Sequence, residues 1–356
     1  MDDDNEATGV IEEDVARLVE AVYQESADKG ERAAANILAM AKKGSEERRA
    51  FIDHGCVPAL CSLCTRENEA RTQAKAALAL GALCSNYATT LNDADVYVHQ
   101  EAQSEALNHG AVALLVPVLT SWQPDAQAAA AEALANLGFQ NSDARKQMQT
   151  CDTGKALVNL LHSENVDVHR SVLCALRAYA IEGKYASELH DRGCLTPTYK
   201  LVHSDKPDVQ ARALRLLWAM ALADPIKTKI VKENAGKLLA SILGFIKTSQ
   251  PNHAIKAAAM ALVRTLATAD EHRADVHKAH TDMVGMLQMR DDEMTVLNAI
   301  GCLTLLCSNE KRREEIKKVQ EIIETLNKLR STQKGGKKSS QAVQDRAKKL
   351  VDILGA

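Results

Sequence analysis

Residues 110–141 read GAVALLVPVLTSWQPDAQAAAAEALANLGFQN, and this stretch decides the fold. Residues 152–183 and 193–223 follow the same plan: an apolar segment, a serine, a short polar break and a second apolar segment. The shared serine, first found at Ser121, recurs after 42 and then 41 residues. A constant period of this length indicates a solenoid of stacked supersecondary units.

Further copies extend the array in both directions. One begins at Gly55, and its excess length falls in residues 87–100, a polar stretch that we expect to be an inserted loop. We assign about six repeats to residues 55–317, an N-terminal capping repeat to 11–54, and C-terminal capping helices to 318–356 with a basic loop at 334–338. Residues 1–10 are acidic, and we expect them to be disordered. Polar terminal units are what a solenoid needs to cover its exposed core.

Each unit has the periodicity of helices. In the second quoted unit, Leu157, Leu160 and Leu161 fall three and four residues apart, which predicts a helix that buries all three. Strict alternation of apolar and polar residues, the sign of a half-buried strand, is missing throughout. A short additional helix is expected before the opening residue of a unit, at 142–150, 184–192 and 225–233. We therefore predict an all-α fold with three helices in each repeat.

Three sequence phrases connect this repeat to a known family. Second helices open with GCVPAL at Gly55 and GAVALL at Gly110, and a third helix carries AEALANL at 131–137. These phrases, within about residues 46–330, resemble the armadillo family. The resemblance implies an armadillo-type α-α superhelix, a right-handed solenoid of three-helix repeats. It also implies a concave groove, lined by the third helices, that typically holds an extended peptide.

The groove of importin-α, an armadillo protein, carries a Trp and an Asn four residues apart on its third helices. The equivalent pairs here are Ala77/Gly81, Glu132/Asn136, Cys174/Ala178, Arg215/Ala219, Ala261/Thr265 and Gly301/Leu305. Only Asn136 matches, and we expect Trp218, one residue before the last position of its pair, to be a core residue. A receptor for nuclear localisation signals is therefore a disfavoured alternative.

A set of polar side chains marks the expected groove instead. We assign a partner-binding groove to Glu132, Asn136, Arg170, Arg177, Arg212 and Arg215. The planar fork of arginine suits bidentate contacts with a carboxylate or a phosphate. The amide of Asn136 can donate to and accept from a peptide backbone. The set favours an acidic or phosphorylated segment as partner, and a solvated helix face without a partner is the alternative.

Nine cysteines raise the question of a metal cluster. Cys56, Cys61 and Cys64 have a spacing found in plant-type ferredoxins, and Cys84 follows. The repeat, however, places these residues on the apolar sides of helices, whereas cluster ligands have to converge around a loop. We therefore interpret the cysteines as reduced core residues of an intracellular protein.

Other signatures of chemistry are weak. His272, His277 and His280 are interpreted as exposed surface residues, with a weak metal site at the last two as the alternative. The sequence has no phosphate-binding glycine loop, no nucleophile elbow, no HExxH motif and no kinase signature. We expect no enzymatic activity, no metal and no cofactor.

Composition narrows the classes of partner. The formal net charge is -3 with both signs spread along the chain, which argues against a nucleic-acid binder. No apolar run approaches the length of a membrane span, and the acidic start does not resemble a signal peptide. We expect a cytoplasmic monomer, with the nucleus or a cilium as alternative compartments.

The sequence thus predicts a scaffold or adaptor that binds a protein or an extended peptide segment in its groove. A nuclear transport adaptor of the importin-α type and an Hsp70 cochaperone of armadillo type are the alternatives. A fold alone does not identify the partner.

Overall fold

The computed structural model describes residues 13–23, 27–65, 69–85, 93–232, 237–247, 252–289, 292–319, 321–330 and 339–355. Within these ranges the chain is helical and contains no strand, which confirms the predicted all-α class. The chain divides into two compact units, which are unit 1 (Met1–Ala180) and unit 2 (Ile181–Ala356). No helix in the described ranges is both long and apolar enough to cross a bilayer.

Unit 1 contains eleven helices within its described residues. They are α1 (13–22), α2 (Ala27–Ala41), α3 (Ser45–Asp53), α4 (Cys56–Cys64), α5 (Ala70–Leu83), α6 (Asp93–Asn108), α7 (Ala111–Leu119), α8 (Pro124–Gly138), α9 (Ser142–Thr150), α10 (Thr153–Leu160) and α11 (Val166–Ala180). Three repeats of a first, second and third helix follow α2, namely α3–α5, α6–α8 and α9–α11. Helices α2, α5, α8 and α11 pack against one another in succession, so the third helices form a continuous row.

Unit 2 contains twelve helices within its described residues. They are α12 (Gly183–Asp191), α13 (Leu195–Val202), α14 (Pro207–Met220), α15 (Asp224–Lys232), α16 (Lys237–Phe245), α17 (His253–Leu266), α18 (Arg273–His277), α19 (His280–Met286), α20 (Glu293–Leu306), α21 (Glu310–Lys317), α22 (Ile322–Arg330) and α23 (Gln341–Leu354). The third helices α14, α17, α20 and α23 again pack in succession. Because α23 packs on both α20 and α22, the segment assigned to C-terminal capping helices has the arrangement of a repeat.

A left-handed residue separates the first helix from the second in several repeats. Gly55, Gly110 and Gly193 have φ values of 68°, 69° and 80°, and Asp152 holds the same position with φ 54°. Glycine populates this region without a steric penalty, and a side chain makes it costly. The sharp connection between the two helices therefore favours glycine at the opening of the repeat, and Asp152 adopts the same left-handed conformation in one copy.

A buried or half-buried arginine on the first helix of several repeats binds the end of the preceding third helix. Arg48 donates to the carbonyl of Ala41 at 3.2 Å, and Arg145 donates to that of Gly138 at 2.7 Å. In unit 2, Nε of Arg273 lies 2.9 Å from the carbonyl oxygen of Ala267. A cation at a helix C-terminus satisfies carbonyls that lack a partner within the helix and complements the helix dipole. These bonds hold consecutive repeats together.

The stretch 87–100 is only partly as expected. Residues 93–100 belong to α6, so the prediction of a loop is wrong for them, and residues 86–92 lie outside the described residues. Val98, Ala102 and Ala106 are buried at four-residue intervals along this helix. The excess length of this repeat is thus taken up in part by a first helix of 16 residues, against nine in α9.

The leucines of α10 differ in burial. Leu157 is 0% exposed and Leu161 is 3% exposed, whereas Leu160, at the end of the helix, is only half-buried. The prediction that all three are buried is therefore wrong for Leu160. The core face of this helix follows Leu157 and Leu161, one turn apart.

Candidate partner-binding surface

Partly exposed side chains of the third helices form one face in each unit. The third-helix face of unit 1 consists of Glu132, Ala135 and Asn136 on α8 with Cys174, Arg177 and Ala178 on α11. The third-helix face of unit 2 consists of Arg212, Arg215 and Trp218 on α14 with Ala261, Arg264 and Thr265 on α17. Their spacing of three and four residues places the side chains of each helix on one side of it.

Asn136 bonds to the neighbouring third helix. Its Nδ2 donates to the carbonyl of Gly81 on α5 at 3.0 Å. The helices approach closely here, because a Cβ at Gly81 would lie 3.0 Å from Cα of Ala133. One amide N–H of Asn136 therefore joins α8 to α5. Only the second N–H and the carbonyl oxygen of this half-buried side chain are left for hydrogen bonds with a partner.

The charged residues assigned to the groove in unit 1 have different environments. Arg170 is paired with Asp167 of the same helix at 2.6 Å. Arg177 is half-buried, and it makes no hydrogen bond or ion pair with any other described residue. Glu132 is half-buried on α8, the helix that packs against α11. Of the two arginines, Arg177 thus has the guanidinium better placed to take an anionic group.

The other two assigned arginines belong to unit 2. Arg212 is half-buried and Arg215 is exposed, and each takes part in an interaction within the chain. Arg264 is folded onto α20: it donates to Oδ1 of Asn298 at 2.9 Å, and a Cβ at Gly301 would lie 2.8 Å from its Nε. The six predicted residues are therefore divided between two compact units, four in unit 1 and two in unit 2.

Trp218 lies where the sequence interpretation did not place it. We expected a core residue, but the side chain is half-buried on the third-helix face of unit 2. Leu222 follows one turn later and is 42% exposed. Sequence analysis missed Leu222, although its repeat position could have identified it, since Ile181 and Phe139 lie 41 and 83 residues earlier and are also exposed.

The cysteines lie mainly in the core. Seven of the nine are buried, and Cys151 and Cys174 are partly exposed. Burial raises the pKa of Cys61 to about 12, with a smaller contribution from the nearby carboxylate of Glu105. Burial also raises the pKa of Cys194 to about 12, so these thiols stay protonated at neutral pH. The interpretation as core residues holds for the buried seven and is wrong for the two that are partly exposed.

The three histidines are less exposed than expected. His272 is buried, and His277 exposes 12% of its side chain, so the interpretation as surface residues is wrong for both. Nε2 of His277 lies 2.7 Å from Oε2 of Glu315, and this hydrogen bond lowers the pKa of that carboxyl. The His277 and His280 rings stack with centroids 4.4 Å apart. Among the described residues, no group of three or more His, Cys, Asp or Glu side chains could hold a metal ion.

The two faces thus offer amide, guanidinium and small apolar groups on stacked parallel helices. This arrangement defines a helical repeat protein whose third helices pack in succession within each unit. A family model for the plant U-box protein ARM repeat region matches residues 117–330, and one for the armadillo/beta-catenin-like repeat matches residues 44–85. The first spans more than half of the chain, which therefore belongs to the armadillo repeat family. No curated protein matched the chain in a sequence comparison.

Solved structures of engineered proteins have a similar fold. One engineered protein is 24% identical with a TM-score of 0.63, covering 72% of this chain and 99% of its own. Another is 20% identical with a TM-score of 0.60, covering 96% of this chain and 99% of its own. A designed armadillo repeat protein in complex with the peptide (KR)4 is 19% identical, with a TM-score of 0.60 over 71% of this chain and 99% of its own. The predicted armadillo fold is confirmed by these likenesses.

Proposed function

We propose that this chain is a non-enzymatic scaffold or adaptor that binds an extended segment of another protein on its third-helix faces. The observation that carries the proposal is the environment of Arg177. Arg177 is half-buried on the face of α11 that also carries the small residues Cys174 and Ala178, and it has no hydrogen-bond or ion-pair partner among the described residues. A partly desolvated guanidinium without a partner gains strongly from a carboxylate or a phosphate.

The charge of the faces supports an acidic or phosphorylated segment as the partner. Arg177 lies on a third helix of unit 1, and Arg215 exposes its side chain on a third helix of unit 2. The designed armadillo repeat protein solved with (KR)4 supports peptide binding as a use of this fold. Its peptide is basic, whereas the arginines of this chain favour the opposite charge.

The proposal is tested by affinity purification with mass spectrometry, using charge reversal on both faces. Arg177→Glu with Arg215→Glu should remove the specific partners, because both guanidinium groups become carboxylates that repel an acidic segment. The matched control is Lys146→Glu with Lys229→Glu, which makes the same charge change at exposed positions of first helices. If the third-helix variant retains every partner of the wild type, the proposal is wrong. Loss of partners in both variants would also contradict it, since net charge alone would then control binding.

The proposal also covers the cellular location and the oligomeric state of the protein. Buried reduced cysteines support a cytoplasmic location, where thiols stay reduced. We place the chain there as a monomer that meets proteins and not nucleic acid. Imaging of a tagged chain and light scattering of the purified protein test these points. A location in the secretory pathway or the mass of a dimer would contradict them.

A further inference from the structure

Large apolar side chains are exposed at one position of the repeat. Phe139, Ile181 and Leu222 each follow a third helix, at intervals of 42 and 41 residues, and are 37%, 37% and 42% exposed. They account for three of the six strongly exposed large apolar residues in the described part of the chain. The exposure therefore recurs at one position in three consecutive repeats and does not come from one irregular loop. Exposed apolar side chains that recur in this way mark interaction surfaces.

In unit 2 this position adjoins an aromatic and a basic side chain on α14. Trp218 lies three residues after Arg215, so these two side chains share one side of α14. Leu222 lies four residues after Trp218, just past the end of the helix. Trp218 is half-buried, while the other two are exposed. Trp and Arg are the residue types most enriched at the energetic centres of protein interfaces.

The adjoining helix adds small side chains to the third-helix face of unit 2. Helix α17 packs against α14 and contributes the small residues Ala261 and Thr265 to the third-helix face of unit 2. Its long side chain, Arg264, is held toward α20 by the hydrogen bond to Asn298. Ala261 and Thr265 therefore add little bulk to the third-helix face of unit 2, which suits a bulky side chain from a partner.

The charge of these two helices selects the partner. Helices α14 and α17 carry four basic side chains, Arg212, Arg215, Lys256 and Arg264, and a single carboxylate, Asp208. The excess of positive charge is complementary to an acidic chain and repels a basic one. An acidic segment that also carried a bulky apolar residue would meet both the charge and the apolar side chains.

We propose that Arg215, Trp218 and Leu222 form a docking site for an acidic segment with a bulky apolar residue next to its carboxylates. The apolar residue packs on Trp218 and Leu222, and a carboxylate approaches Arg215. This inference rests on the proposed function and adds the place and the chemistry of recognition in unit 2.

A random library of 12-residue peptides displayed on phage and selected on the full chain tests the site. The enriched peptides should combine Asp or Glu with Leu, Ile, Phe or Trp. The chain has two tryptophans, so Trp122→Phe leaves Trp218 as its single indole. Binding of a synthetic enriched peptide should shift the emission of that indole to shorter wavelength and protect it from acrylamide.

Substitutions locate the contact. Leu222→Glu and Arg215→Glu should each weaken the synthetic peptide at least about tenfold, a change of roughly 1.4 kcal/mol. The controls are Trp122→Glu, which makes an exposed apolar residue acidic in unit 1, and Lys229→Glu on a first helix. Both controls should bind as the wild type does, and circular dichroism should show all four variants folded.

The outcomes separate this inference from the proposed function. Acidic apolar peptides that leave Trp218 emission unchanged, or that bind Leu222→Glu as tightly as wild type, would overturn the site and leave peptide binding standing. Enrichment of basic peptides such as (KR)4 would overturn the chemistry proposed for it. A selection that enriches no peptide would overturn both the site and the proposed binding of extended segments.

Discussion

Replacing Arg145 by methionine should lower the free energy of unfolding by about 2–3 kcal/mol, because hydrogen bonds to charged groups contribute about 1.5–3 kcal/mol. Arg145 is 7% exposed, and its Nη1 donates to the carbonyl of Gly138 at 2.7 Å. The cation also complements the C-terminal dipole of α8, which adds roughly 0.3–1 kcal/mol. Methionine keeps the packing of the aliphatic stem, so the loss reports mainly the bond between repeats.

Urea unfolding followed by circular dichroism measures this loss. Lys146→Met is the matched control, because Lys146 is the next residue of α9 and is exposed, and its effect should stay within about 0.5 kcal/mol. Arg145→Lys should fall between the two, since lysine keeps the positive charge at the end of α8 but not the planar fork of the guanidinium. Equal losses for Arg145→Met and Lys146→Met would refute the role assigned to these bonds.

Three further predictions test the repeat itself. Gly110→Ala should cost about 1–2 kcal/mol because of its positive φ, whereas Gly244→Ala, equally open but inside a helix, should stabilise by about 0.5–1 kcal/mol in thermal melts. Leu157→Ala should cost about 2–5 kcal/mol and Leu160→Ala clearly less, and equal losses would contradict the burial of α10. A thiol reagent should react rapidly with only the two partly exposed cysteines of the native chain, because burial keeps the other thiols protonated. All nine should react after denaturation. Rapid reaction of all nine in the native chain would contradict this prediction.

Sequence periodicity was sufficient to predict most helices, because burial in a stacked repeat imposes the same apolar spacing in each copy. The helix predicted at 142–150 is α9, and that predicted at 184–192 agrees with α12 within one residue. The first half of helix α6 was not predicted from periodicity. Its start, from Asp93 to Gln100, is largely polar, and its small buried residues give a weak pattern. Sequence periodicity detects a helix when its apolar face is wide, and the apolar face of α6 is narrow.

The candidate surface was harder to predict, since its properties depend on residues far apart in sequence. The sequence identified Asn136 as the one residue that matches the Trp/Asn pairs of importin-α. Its bond to Gly81, 55 residues away, could not be deduced from the local pattern. Trp218 was assigned to the core because aromatic residues in an apolar helix usually face inward. Periodicity gives the side of a helix that is apolar, but it does not tell whether a neighbouring helix covers the whole of that side.

Two polar side chains of the third helices, Asn136 and Arg264, join neighbouring helices, and this limits the groups that remain for the proposed binding. Asn136 bonds to Gly81 in unit 1, and in unit 2 Arg264 lies over Gly301 and bonds to Asn298. In both places a glycine lets a polar side chain from the adjacent third helix come close enough to bind. A side chain engaged in this way stabilises the stack, and a peptide would have to compete with that bond to use it. The proposed binding therefore uses Arg177 in unit 1 and Trp218 in unit 2, which are only half-buried.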